Sequence, residues 1–142
     1  CVLATPGVAC EKPATARNAE VEVISLINAE RARHGLPAVR RSTTLEKAAD
    51  RQGCDLAARK KLSHVGSDGS TVGQRVKGAG YRMKLANENI GYGFRSPTNA
   101  VNWWMNSPGH RANILEPRAR EIGVSLTQSN TLYWTTVMGA AR

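Results

Sequence analysis

A chain of 142 residues, 41% of them hydrophobic, is the size of one domain and can bury a core, which excludes a disordered polymer. No internal repeat or low-complexity run is present, and the apolar stretches fall well short of the ~18 residues that a membrane span needs, so no transmembrane segment is expected. With 20 Lys and Arg against 11 Asp and Glu, the net charge of +9 favours polyanionic partners, but the cations are scattered and not interleaved with aromatics, which argues against sequence-specific nucleic-acid recognition.

Residues 1–17 hold Pro6, Gly7 and Pro13 among small residues without periodicity, and read as an N-terminal arm or tether ahead of one domain over residues 18–142. The cysteines, Cys1, Cys10 and Cys54, leave two readings open. In one, Cys1 carries a lipid anchor and Cys10 pairs with Cys54; in the other the pairing differs or thiols stay free. An exported protein, secreted, periplasmic or held at the cell surface, is the expectation.

A first helix is predicted from Asn18, with Val21, Ile24, Leu26 and Ile27 buried, and Glu20, Glu22, Glu30, Arg31 and Arg33 on its outer face. His34 and Gly35 suit its end. Thr43-Thr44-Leu45-Glu46 matches a capping box, and Leu45, Ala48, Ala49, Gln52 and Leu56 continue a second helix to about Leu62. A polar turn over residues 63–69 precedes a short helix near Ser70 with Val72 and Val76 inward. Residues 85–93 read as a strand. Ser96-Pro97 opens a fourth helix that buries Ala100, Val101, Trp104 and Met105. Adjacent tryptophans cannot both face inward, so Trp103 is expected on the cleft or a partner surface. After a single turn around Asn113-Ile114-Leu115, Ile122, Val124 and Leu126 alternate toward a turn at Gln128-Ser129-Asn130. The chain then returns over residues 132–138, as a hairpin with one buried face. Helices flanking a small antiparallel sheet give an α+β fold, a three-layer αβα sandwich.

Three polar clusters fall in loops or at element ends, where function tends to collect: Ser63-His64-Val65-Gly66-Ser67-Asp68-Gly69, Asn87-Glu88-Asn89-Ile90-Gly91, and Ser107-Pro108-Gly109-His110-Arg111-Ala112-Asn113-Ile114-Leu115. Read bottom-up, His64, Glu88 and His110 are the groups that can hold a divalent metal or move protons if the fold assembles them, although their spacing is not that of a dedicated zinc motif. Asp68 is expected to make a turn before Gly69, and Arg111 reads equally well as an anion contact or as part of the basic surface.

In this order, together with Leu26-Ile27-Asn28, Arg31, Trp104, Ile122-Gly123-Val124 and Tyr133-Trp134-Thr135-Thr136-Val137, the clusters resemble the bacterial branch of the CAP superfamily (cysteine-rich secretory proteins, antigen 5 and pathogenesis-related proteins). The resemblance implies an αβα sandwich with a cleft lined by two histidines and two glutamates that binds zinc in several members. It implies His64 as the first histidine and Glu88 as one glutamate. It supplies no second glutamate, since Met105-Asn106-Ser107 stands at that place, and Tyr133 replaces the second histidine, with His110 near the same cleft. The expected cleft residues are therefore His64, Glu88, Asn89, His110 and Tyr133. The expected role is a monomeric, non-enzymatic binding module for lipid, cell-wall, other anionic or protein ligands that requires no cofactor. The alternative is a zinc-dependent hydrolase using His64, Glu88 and His110.

Overall fold

The computed structural model describes residues 10–142; the expectations for Cys1 and the rest of residues 1–9 lie outside the described residues. Five helices and four strands alternate as α1 (Ala16–Arg33), β1 (Arg40–Arg41), α2 (Thr43–Arg59), α3 (Val72–Gly78), β2 (Met83–Tyr92), α4 (Pro97–Met105), α5 (Pro108–Ile114), β3 (Glu121–Gln128) and β4 (Leu132–Ala141). The sheet order is β1-β3-β4-β2. Both β3 and β2 run antiparallel to β4, whereas β1 pairs in parallel with the start of β3, so the sheet is mixed. The two-residue β1 carries too little pattern to be read from sequence.

Helices cover both faces. On one, Val23 and Ile27 of α1, Ala100, Val101 and Trp104 of α4, and Ile114 of α5 pack on Ile122, Val124, Leu126, Trp134 and Met138. On the other, Leu45, Ala48 and Ala49 of α2 and Val76 of α3 pack with Val137, while Leu56 and Ala57 meet Ile90 and Tyr133. The α+β sandwich is the expected one. The hairpin is not half-exposed, however: six consecutive residues of β3 and eight of β4 are buried, because each face of these central strands meets a helical layer. Close approach is enforced at Gly123, where any Cβ would overlap the backbone of Leu45 and Glu46 at the start of α2.

The buried stripe of α1 is Ala16, Glu20, Val23, Ile27 and Arg31, at helical spacing but not the stripe expected, since Val21 is exposed while Glu20 and Arg31 are inside. Both charges have work there. Arg31 donates to the carbonyls of Pro37, Ile114, Glu116 and Ala119 at 2.8–3.2 Å. Glu20 accepts the Leu126 N–H at 2.9 Å, beyond the end of β1. Gln128 N–H donates to the Glu11 carbonyl, so the exposed edge of β3 is closed by α1 and by the segment before it. That segment is tied down by the Cys10–Cys54 disulfide, 44 residues apart in sequence, and by Lys12 reaching Glu20 and Asp50. Closing a loop of that length stabilises by about 4 kcal/mol in the chain-entropy account. Helix α1 accordingly starts at Ala16, with Thr15 rather than Asn18 preceding it.

Helix α2 is capped by Ser42, whose Oγ accepts Leu45 N–H, rather than by a Thr43–Glu46 box. Glu46 instead takes a bidentate Arg17 at 3.0 Å and Arg41 at 2.9 Å. The capping box lies one helix later, between Thr71 and Gln74 at the start of α3. Ser96 and Pro97 open α4 as expected.

Candidate functional site

Strand β2 is an edge strand, and its alternation sends Glu88 toward α3 and its neighbours Asn87 and Asn89 toward α5. The two flanking layers therefore meet along this edge, and the polar clusters meet there with them.

On the α3 side, Glu88 is almost wholly buried, its side chain 1% exposed, and both carboxylate oxygens are engaged. Oε1 accepts from His64 Nδ1 at 2.9 Å, and Oε2 accepts from Arg75 Nη2 at 2.9 Å. Because a carboxylate only accepts, the proton sits on His64 Nδ1, and Nε2 is left facing outward on an exposed ring. Arg75 is itself buried and also holds the loop that carries the histidine, donating to the carbonyls of His64 at 3.0 Å and Ser70 at 2.7 Å. Gln52 Nε2 donates to Ser63 O at 2.6 Å and Arg59 to Val65 O at 2.8 Å. The loop is thus pinned at four points, and His64 is a positioned side chain. Sequence reasoning counted Arg75 only among scattered surface cations; no local signal distinguishes it from them.

On the α5 side, Asn89 is fully buried and donates to the His110 carbonyl at 3.0 Å. Asn113 donates to the Glu88 carbonyl at 3.2 Å and to Asn89 Oδ1 at 2.9 Å. Trp104 Nε1 donates to the Ile90 carbonyl at 3.1 Å. These bonds satisfy the outward backbone of an edge strand and fix α5 against it. His110 Nδ1 lies 2.8 Å from Ser107 Oγ, and its ring sits 5.1 Å from that of Trp103. Burial, and next the charge of His64, lower the affinity of His110 for a proton.

Of the five expected cleft residues, His64 and His110 present ring edges there and Glu88 lies behind His64. Asn89 supports the His110 loop from the opposite face of β2. Tyr133 does not line the opening: it is 2% exposed, donates its hydroxyl to Asn130 Oδ1 at 2.8 Å, and stacks behind Tyr92 at 6.2 Å between ring centres. Asp68 makes the expected turn, accepting Ser70 N–H at 2.9 Å, and ion-pairs with Arg51. Bonds from Ser70, then from Arg51, hold its carboxyl well below the usual carboxylate range. Arg111 contacts His34 Nε2 at 3.3 Å.

The residues do not make the expected three-ligand set. Among the described residues no group of three or more His, Cys, Asp or Glu side chains is placed to hold a metal ion. Glu88 bonds His64 and Arg75 through both oxygens, leaving two imidazole edges as the donors.

Sequence reasoning missed an apolar groove beside the histidines. Its volume is about 240 Å³, and Leu62, Gly91, Tyr92, Phe94 and Trp103 line it. Trp103 is 48% exposed and Tyr92 58%, whereas Trp104 is fully buried. The outward placement of Trp103 is the one part that the paired tryptophans foretold.

Comparison with known proteins bears on this arrangement. The sequence model described as "Cysteine-rich secretory protein family", CAP, matches residues 24–138. The chain is 35% identical over 123 residues to the uncharacterized protein YkwD of Bacillus subtilis, covering 87% of this chain and 48% of that protein. It thus spans about half the length of that relative. An extracellular protein containing a SCP domain from Bacillus anthracis superposes with a TM-score of 0.79 at 25% identity, covering 87% of this chain and 41% of that one. An outer surface protein from Borrelia burgdorferi has the same fold, with a TM-score of 0.85 at 24% identity over 94% of this chain and all of that one.

Proposed function

The chain belongs to the cysteine-rich secretory protein (CAP) family, and on that premise we propose that it is an extracellular, non-enzymatic binding module that holds a lipid, cell-wall or protein ligand at the β2-edge cleft. One observation carries this reading: Glu88 is buried and fully occupied by His64 and Arg75. Such a carboxylate orients an imidazole; it is neither a free general base nor an open metal ligand. What the cleft offers to a ligand is two held imidazole edges next to exposed aromatic rings, the mixture of fixed polar groups and apolar surface typical of binding sites. Export fits the +9 charge and the disulfide, and it fits the extracellular and outer-surface relatives.

The zinc-hydrolase alternative needs three protein ligands and an open position, and the residues at the cleft do not fit it, since Glu88 is committed elsewhere.

The test is thermal melting of the wild type and of His64→Ala with lipid vesicles, cell-wall fragments and candidate proteins. A ligand selective for the folded state raises Tm by mass action. At least one class should raise Tm in the wild type and fail to do so in the variant, whose own Tm stays close to wild type. If no class shifts Tm, or the shift survives the substitution, the cleft is not a binding site.

A further inference from the structure

Resting on the binding-module reading, we propose that the groove beside the histidines is a subsite for an acidic glycan, with sugar rings on Trp103 and Tyr92 and carboxylates met by a cationic rim. Four of the five large exposed hydrophobic residues of the described chain lie around this cleft: Leu62 and Val65 in the loop after α2, Tyr92 at the end of β2 and Trp103 on α4. The rings are braced from behind: Trp103 against Phe94 at 5.5 Å and His110 at 5.1 Å, Tyr92 against Tyr133 at 6.2 Å. Bracing keeps their outer faces available at little entropic cost. Between them the floor is Gly91, where an added Cβ would meet the Phe94 ring, so a larger residue would displace the wall.

The composition of the groove selects among occupants. At about 240 Å³ it is open to solvent along one side, and an acyl chain lying there would keep much of its surface in water, forfeiting the gain that drives lipid burial. A pyranose suits such a place, because its C–H face packs on an aromatic ring while its hydroxyls stay solvated or reach the imidazole edges of His64 and His110. Charge then specifies the kind of glycan. Residues 60–65, 91–95 and 102–111, which supply the groove, contain no acidic residue, and Lys60 and Lys61 directly precede Leu62 of its lining; Arg95 lines a separate groove with α1, and Arg111 turns toward His34. Lys60 and Lys61 are exposed and form no ion pair among the described residues.

The experiment is calorimetric titration of the full chain with a hexasaccharide alternating N-acetylhexosamine and uronic acid, against a neutral N-acetylhexosamine hexamer and an acidic peptide of equal charge. The acidic saccharide should bind most tightly. Trp103→Ala and Tyr92→Ala should each weaken it about tenfold or more, in the range that stacking on one aromatic face supplies, with unchanged melting of the free protein. Lys60→Ala with Lys61→Ala should weaken the acidic saccharide, flatten its salt dependence and leave the neutral hexamer unaffected. Saccharide binding that ignores Trp103→Ala overturns the proposal. So does an acidic peptide that binds as well, or the absence of saccharide binding while vesicles or a protein still bind through His64; that last result leaves the binding module standing. If nothing binds at all, both readings fall.

Discussion

Two arginines of this chain are buried to nearly the same degree, Arg31 at 0% and Arg75 at 1% exposure, yet they hold different things. Arg31 meets only backbone: four carbonyls, three of them at the end of α5 and in the segment that joins it to β3. Arg75 meets two loop carbonyls and one carboxylate, and through that carboxylate it fixes an imidazole at the cleft. A guanidinium with five fixed donors can serve either use. The lesson is that burial of a charge does not mark a functional site; the partner does. Backbone partners make a clamp on the fold, and a buried carboxylate that in turn grips an exposed histidine makes a support for a site.

The comparison can be broken at its stronger end first. Arg31→Met should destabilise the protein by about 4 kcal/mol, because several buried carbonyls lose charged donors at once. Chemical denaturation reads this as a lower midpoint. Folded Arg31→Met should keep the imidazole nitrogen shifts of His64 seen in the wild type; a change there would show that Arg31 also serves the cleft. Arg75→Met should cost less, about 3 kcal/mol, by leaving Glu88 buried with one oxygen unpaired. It should move the His64 nitrogen resonances as well, since both the loop carbonyl and the carboxylate are released. Unmoved resonances would reduce Arg75 to a second clamp.

The smallest effect is in pH. The proton affinity of His110 is lowered in the folded protein by burial and by His64, so the unfolded chain takes up this proton first. The stability this confers is complete above the ordinary histidine pKa of about 6.5 and is lost as pH falls toward the lowered folded value. His110→Gln should remove that slope from a plot of stability against pH. A slope identical in wild type and variant would contradict the partial burial of the His110 ring.

Much of this layout was legible in the chain. Period-two alternation puts Glu88 and Asn89 on opposite faces of one strand, and Ser96-Pro97 declares the start of α4. Adjacent tryptophans require one to point outward, and Trp103 does. What stayed hidden was set by distant partners. Glu20 and Arg31 read as solvent-facing charges until Leu126 N–H and the carbonyls of residues 114–119 arrive from the far end of the chain. Glu46 looks like a cap until Arg17, 29 residues earlier, takes its carboxylate. Tyr133 belongs to a matching motif but has Tyr92 stacked over it. The groove drew on Leu62, Tyr92, Phe94 and Trp103, which come from three separate segments with no shared pattern.

On the proposed reading Glu88 orients His64 and does not ligate a metal. Zinc titration by calorimetry on the wild type, His64→Ala and Glu88→Gln tests it most directly. The account predicts no stoichiometric site whose binding is lost in both variants. Stoichiometric zinc binding that disappears with both substitutions, while both variants stay folded, would contradict that reading and return the cleft to metal chemistry.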